Sequence, residues 1–187
     1  MVDTGVYVAA RTLLDRLVLE LAGTRAGAAC TAVVHPGNMV PEYGWCGDDC
    51  DGAAWTRVMM IAPTTAFPQI LSAPVQPGRQ VQLAATIELG VDRCYYTPGD
   101  NSMPPVGVLD SHARDALDDA AAMHRAVMCA GLGEVVVGSW MPRGPMGGIH
   151  GGTLPVTVLV DTCACGSTMQ PLDTIVPPMA DDPRVAP

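Results

Sequence analysis

Apolar and polar positions alternate most cleanly over residues 81–91. Val81, Leu83, Ala85, Ile87, Leu89 and Val91 are separated by Gln82, Ala84, Thr86, Glu88 and Gly90, the period-two pattern of a strand with one buried face. The run exceeds the usual strand of about five or six residues, so part of it is expected to project towards another chain. A second strand is predicted over Trp55–Ala62, ended by Pro63. Two further β-rich runs, Glu134–Met141 and Thr153–Asp161, enclose a segment of glycine and proline at 142–152. They predict a long hairpin with a non-helical loop. Such a hairpin is marginal alone, so the earlier strands and helices must complete its sheet.

Helical spacing appears twice. Val6, Leu13, Leu14, Leu17, Val18 and Leu21 form one stripe, flanked by Arg11, Asp15, Arg16 and Glu20, with Asp3 or Thr4 able to cap the start and Gly23 the end. The second helix is expected from Asp110 or Ser111 to about Cys129, burying Ala113, Ala116, Leu117, Ala120, Met123 and Val127. Between the first helix and the first strand, Arg25–Ala53 reads as a long irregular loop and hence as a contact surface. The order helix, two strands, helix, two strands predicts an α+β two-layer domain over residues 1–165. Its mainly antiparallel four-stranded sheet is packed by two helices and carries long loops. Residues 166–187, proline-rich and without periodicity, read as an extended or disordered C-terminal arm.

Composition narrows the picture. With 187 residues and 49% hydrophobic content the chain can build one real core. Only 4% of residues are aromatic, so aliphatic side chains, alanine and the 11 methionines must fill that core. A net charge of −9 disfavours a surface that grips nucleic acid, because phosphate binding needs clustered cations. No run reaches the roughly eighteen apolar residues of a membrane span, and no basic stretch precedes an apolar one at the start, so neither a span nor an export signal is expected. The seven cysteines are odd in number, which rules out a complete intramolecular disulfide framework; most are expected to be small buried hydrophobes.

Candidate chemistry is sparse. Cys46 and Cys50 enclose three residues, and Cys163 and Cys165 enclose one. They are zinc or disulfide candidates, but neither pair has the two-residue spacing of structural zinc sites, and no metal or cofactor is assigned. A cysteine nucleophile would need a partner among His35, His112, His124 and His150. No nucleophile-elbow motif supports it, and His150 is expected in the hairpin loop. Asp48, Asp49 and Asp51 lack the calcium-loop pattern, and Gly147–Gly152 lacks the following Gly-Lys-Ser/Thr of a phosphate loop. The chain is therefore expected not to be an enzyme. Trp140, Met141, Arg143, Met146 and Ile149, with Trp45 and Trp55, form the candidate interface with another subunit or partner, being apolar, aromatic or arginine anchors.

Several stretches together resemble a known family. They are the loop with Cys46-Gly47-Asp48-Asp49-Cys50 before Trp55-Thr56-Arg57-Val58, the strand ending in Val91-Asp92-Arg93-Cys94, and the Asp- and Ala-rich helix from Asp110. The most specific is Gly138-Ser139-Trp140-Met141-Pro142-Arg143-Gly144-Pro145-Met146-Gly147-Gly148. Across Val8–Asp161 the chain resembles head-to-tail connector (neck) proteins of long-tailed bacteriophages of actinobacteria, and within them the tail terminators. The resemblance implies a virion protein made in the host bacterial cytoplasm and located at the head–tail junction. Its subunits would form a homo-oligomeric ring, expected to be a hexamer, on the tail tube protein, stop tube growth and dock the head-to-tail stopper or other connector proteins. DNA would pass through the ring without specific binding, and an acidic lumen suits such passage because it repels phosphate. Another neck part such as the stopper is the nearest alternative, and a small cysteine- or zinc-dependent phage enzyme the remote one.

Overall fold

The computed structural model describes residues 5–40, 46–47, 50–75, 81–100, 102–146 and 148–160. Trp45, Asp48, Asp49, Cys163, Cys165, the predicted capping residues Asp3 and Thr4 and the arm expected over 166–187 lie outside them. The chain runs α1 (Gly5–Leu21), β1 (Thr31–His35), β2 (Cys46–Gly47), β3 (Cys50–Asp51), β4 (Ala53–Thr64) and β5 (Gln82–Cys94). It continues with α2 (Val106–Cys129), β6 (Val135–Val137), β7 (Met141–Met146) and β8 (Ile149–Val160).

The α+β class holds, but the sheet differs from the expected four antiparallel strands. It is six-stranded and mixed, in the order β1-β4-β5-β8-β6, with β7 also paired to β8. β1 runs parallel to β4, and every other pairing in this sheet is antiparallel. The Arg25–Ala53 stretch is thus not one irregular loop: it contains β1, and β2 and β3 form a separate two-stranded ladder.

β5 does not project. It pairs with β4 from Gln82 to Asp92 and with β8 from Leu83 to Cys94, and its length reflects a place in the middle of the sheet. Ala85, Ile87, Leu89 and Val91 face the helices and are buried, as the alternation predicts, but the other face is not the expected polar surface, because Ala84, Glu88, Gly90 and Asp92 are buried as well. Leu154, Val156, Val158 and Val160 of β8 join the first set on the helix face, each apolar residue removed from water contributing about 1.5–3 kcal/mol.

Both helices cover that one face. α1 buries Val6, Ala9, Ala10, Leu13, Leu14, Leu17 and Leu21, a stripe of the predicted spacing. Thr56 of β4 donates its hydroxyl to the Ala10 carbonyl at 3.1 Å, so a polar side chain in the interface is satisfied by helix backbone. α2 starts at Val106, after Pro105, rather than at Asp110 or Ser111. It buries Asp119, Ala122, Met123, Ala126 and Val127, while Leu117 is 64% exposed. The helix is therefore rotated from the predicted stripe, and the rotated face brings Asp119 into the interior with a charged partner.

The expected loop at 142–152 is largely strand. Met141, Pro142 and Arg143 pair with Thr153, Gly152 and Gly151, and the ladder resumes at Met146 and Ile149 after an irregularity. Pro142 and Pro145 are tolerated because β7 lies at the sheet edge, where a missing N–H breaks no inner bond. Gly151 has φ +159°, and a Cβ there would lie 1.9 Å from the Val91 carbonyl oxygen, so close strand approach requires glycine.

Cys46 and Cys94 are joined by a disulfide whose ends are 48 residues apart. This corrects the zinc reading for Cys46, whose sulfur is committed to that bond, and it brings in Cys94, which the spacing argument did not use. Cys30 is also disulfide-bonded, Cys129 is free and exposed, and so the expectation of buried thiols fails for these four. The side chain of Cys50, like Cys163 and Cys165, lies outside the described residues. Replacing Cys46 and Cys94 together by serine is expected to lower the unfolding free energy by about 2–4 kcal/mol, because the unfolded chain loses a long closed loop. Urea denaturation without reductant, beside the unsubstituted protein, measures the loss.

Candidate functional site

The sheet has a closed end and an open end. At the closed end, where β5 finishes and β8 begins, the face away from the helices is tied together by Asp92. This carboxylate is fully buried and accepts the Trp55 indole N–H at 2.8 Å. Arg143 donates from Nη1 to both Asp92 oxygens at 3.0 Å and from Nη2 to the Val40 carbonyl at 3.0 Å. Its guanidinium also stands 5.8 Å from the Trp55 ring centroid, within cation–π range. Gly90 completes the arrangement: a Cβ there would lie 2.0 Å from the indole, so the ring lies flat over bare backbone. One carboxylate thus fixes β4, β5, β7 and the segment after β1.

On the helix face of the same end, Arg93 and Asp119 form a buried ion pair, with both side chains 3% exposed. Arg93 donates from Nε to Oδ2 at 2.8 Å and from Nη2 to Oδ1 at 3.0 Å, and Nη2 also reaches the Gly27 carbonyl at 2.8 Å. Beside the pair, the rings of Tyr95, His112 and His150 cluster at centroid separations of 4.6–5.8 Å. His150 is therefore not in a hairpin loop; it is a buried residue of β8.

Burial holds the His150 imidazolium below the ordinary histidine range, and nearby His112 adds to this, against the opposing pull of Asp115 and Asp119. The folded protein binds this proton less readily than the unfolded chain. Its stabilising share is complete above the ordinary value of 6.5 and is lost as pH falls towards the depressed folded value. Lowering pH from about 7 to 5 is expected to reduce the urea midpoint, and His150→Leu is expected to flatten that slope. An unchanged slope in the variant sinks the assignment.

The open end is different. β1 covers the outer side of β4 only from Ala53 to Arg57. Further along, Leu71 N–H bonds the Pro63 carbonyl at 2.8 Å. Between them, Val58–Ala62 has no strand partner on that side among the described residues. Met59 and Ile61 are each 50% exposed, with exposed Met60 between them. On the opposite flank, β6 is the last strand and exposes Val136, while β7 exposes Met141 and Met146. Exposed Leu117 and Met128 lie on the outer surface of α2.

The predicted interface set therefore divides. Met141 and Met146 are at the surface. Trp55 is 1% exposed and Ile149 is buried, so both are core residues, and Arg143 is half-buried in its ion pair. Trp140 packs half-buried on the core, its ring filling the space above Gly152, and its Nε1 has no partner among the described residues. The exposed run Met59-Met60-Ile61 lies outside the interface set expected from the sequence. Its signal was available, since three successive apolar residues cannot all face one core.

Among the described residues no cluster of His, Cys, Asp or Glu side chains is placed to hold a metal ion. No helix among them is long and apolar enough to cross a membrane. The chain matches no family model, and no curated protein matches it.

Proposed function

We propose that this chain is a structural virion protein: a tail terminator whose subunits form a ring at the head–tail junction of a long-tailed bacteriophage. The observation that carries the reading is the apolar exposure on both flanks of one sheet, Met59-Met60-Ile61 on one side and Val136, Met141 and Met146 on the other. A subunit that meets copies of itself through two different flanks makes heterologous contacts, and such contacts form a ring where the rotation between copies closes. The neck-protein resemblance of the 138–148 segment supplies the location. The ring caps the tail tube, meets the connector above it and lets DNA pass, and the net charge of −9 suits a lumen that repels phosphate.

Native mass spectrometry of the full chain without reductant, alone and mixed with isolated tail tubes, tests this. A ring, or a monomer that joins the tubes, supports the terminator. A monomer that ignores tubes overturns it, and binding to the portal side of the connector moves the protein to the stopper position.

A further inference from the structure

Resting on the ring reading, the geometry points to one intersubunit contact: the open edge of β4 receives β6 of a second copy, so that neighbouring subunits share one continuous antiparallel sheet.

The two open edges lie at the same level of the sheet. Across the ladder, Val135 aligns with Val158, Ala85 and Ile61; Val136 with Thr157, Thr86 and Met60; and Val137 with Val156, Ile87 and Val58. Each step between these strands is antiparallel, so β6 runs opposite to β4. A neighbour related by rotation about a ring axis that runs along the strands keeps that sense and presents its β6 antiparallel to the β4 edge. The faces also match. Val135 and Val137 pair with helix-facing residues of β8, as Ile61 and Val58 align with helix-facing residues of β5, while Val136 and Met60 share the other face. Adding the strand therefore continues the alternation of the sheet on either side of the irregularity at Met59, and a slip of one residue would invert it.

Charge permits the same contact. Val58–Thr64 and Val135–Gly138 hold no charged side chain, whereas the chain as a whole carries −9. Two copies of this acidic chain therefore meet along these edges without placing like charges opposite each other. The occupant is thus a copy of this chain, and backbone hydrogen bonds along the edge supply the affinity that a few apolar side chains alone lack.

Met60→Cys and Val136→Cys are made on separate chains, each in a Cys129→Ser background so that the exposed free thiol among the described residues is removed. The two are mixed at ring-forming concentration and oxidised with copper phenanthroline, and linked peptides are mapped. The expected result is a linkage between positions 60 and 136 across copies, absent when either variant is oxidised alone. A separate Met60→Lys variant is expected to remain folded by circular dichroism while self-association weakens roughly tenfold or more. Rings by native mass spectrometry without the linkage, and unweakened by Met60→Lys, overturn the contact and leave the terminator reading standing. A monomer that also ignores tail tubes overturns both.

Discussion

Asp92→Ala is expected to cost about 3–5 kcal/mol of folding stability, the range for removing one partner of a buried charge pair. The carboxylate has no exposure and accepts from both Trp55 and Arg143. Without it, the indole N–H loses its acceptor in a closed site and the guanidinium loses its counter-charge over an apolar ring. Arg143 is 23% exposed, and its access to water places the loss in the lower part of the range. Asp92→Asn is expected to fall between wild type and alanine, because the amide oxygen still accepts from Trp55 but brings no charge. Urea unfolding followed by circular dichroism measures both. A loss below about 1 kcal/mol for the alanine variant means that the network relaxes around the gap and that Asp92 does not hold the closed end together.

The second large effect is expected at Arg93 and Asp119, with a different signature. Asp119→Ala leaves a guanidinium buried without its carboxylate and is expected to cost about 3–5 kcal/mol. The double variant Arg93→Met with Asp119→Leu is expected to recover most of that loss, because desolvating two charges consumes much of their attraction. Arg93 supplies the reason: its Nη1 is buried with no partner among the described residues, so the pair is not fully satisfied. A double-mutant cycle by urea denaturation reads the coupling. If the double variant is as unstable as Asp119→Ala, the pair is worth more than the apolar packing that replaces it.

These two pairs also explain where the sequence was legible. Elements with an uninterrupted apolar period were readable: α1 from its leucines, β5 from its alternation, β8 from its valines. β1 carries little local signal because its five residues, with Val33 and Val34, stand among glycines and prolines, and its parallel partner lies across a chain excursion. β7 reads as loop in the sequence because Pro142 and Pro145 suit turns as well as sheet edges, and position in the sheet is a tertiary property. The rotation of α2 was hidden for a related reason. Asp119 reads as surface until Arg93, 26 residues earlier, is seen to reach it. Likewise Trp55 and Arg143 have the composition of interface anchors, and only Asp92 reveals that they are anchors of the fold. The Cys46–Cys94 pairing, with its ends 48 positions apart, has no local signal at all.

The prolines of β7 have a consequence for the protein in concentrated solution. A sheet with apolar edges is a template for fibres, since each added strand presents a fresh edge to the next chain. Along the β8 side of this sheet, however, β6 is only three residues long, and the β7 edge beside it is interrupted by Pro142 and Pro145. Neither proline can donate to an incoming strand, so a long cross-β ladder has no continuous row of donors from which to grow. Overexpressed protein is therefore expected to accumulate as soluble small assemblies, with thioflavin-negative material even at concentrations where an unprotected edge would seed amyloid.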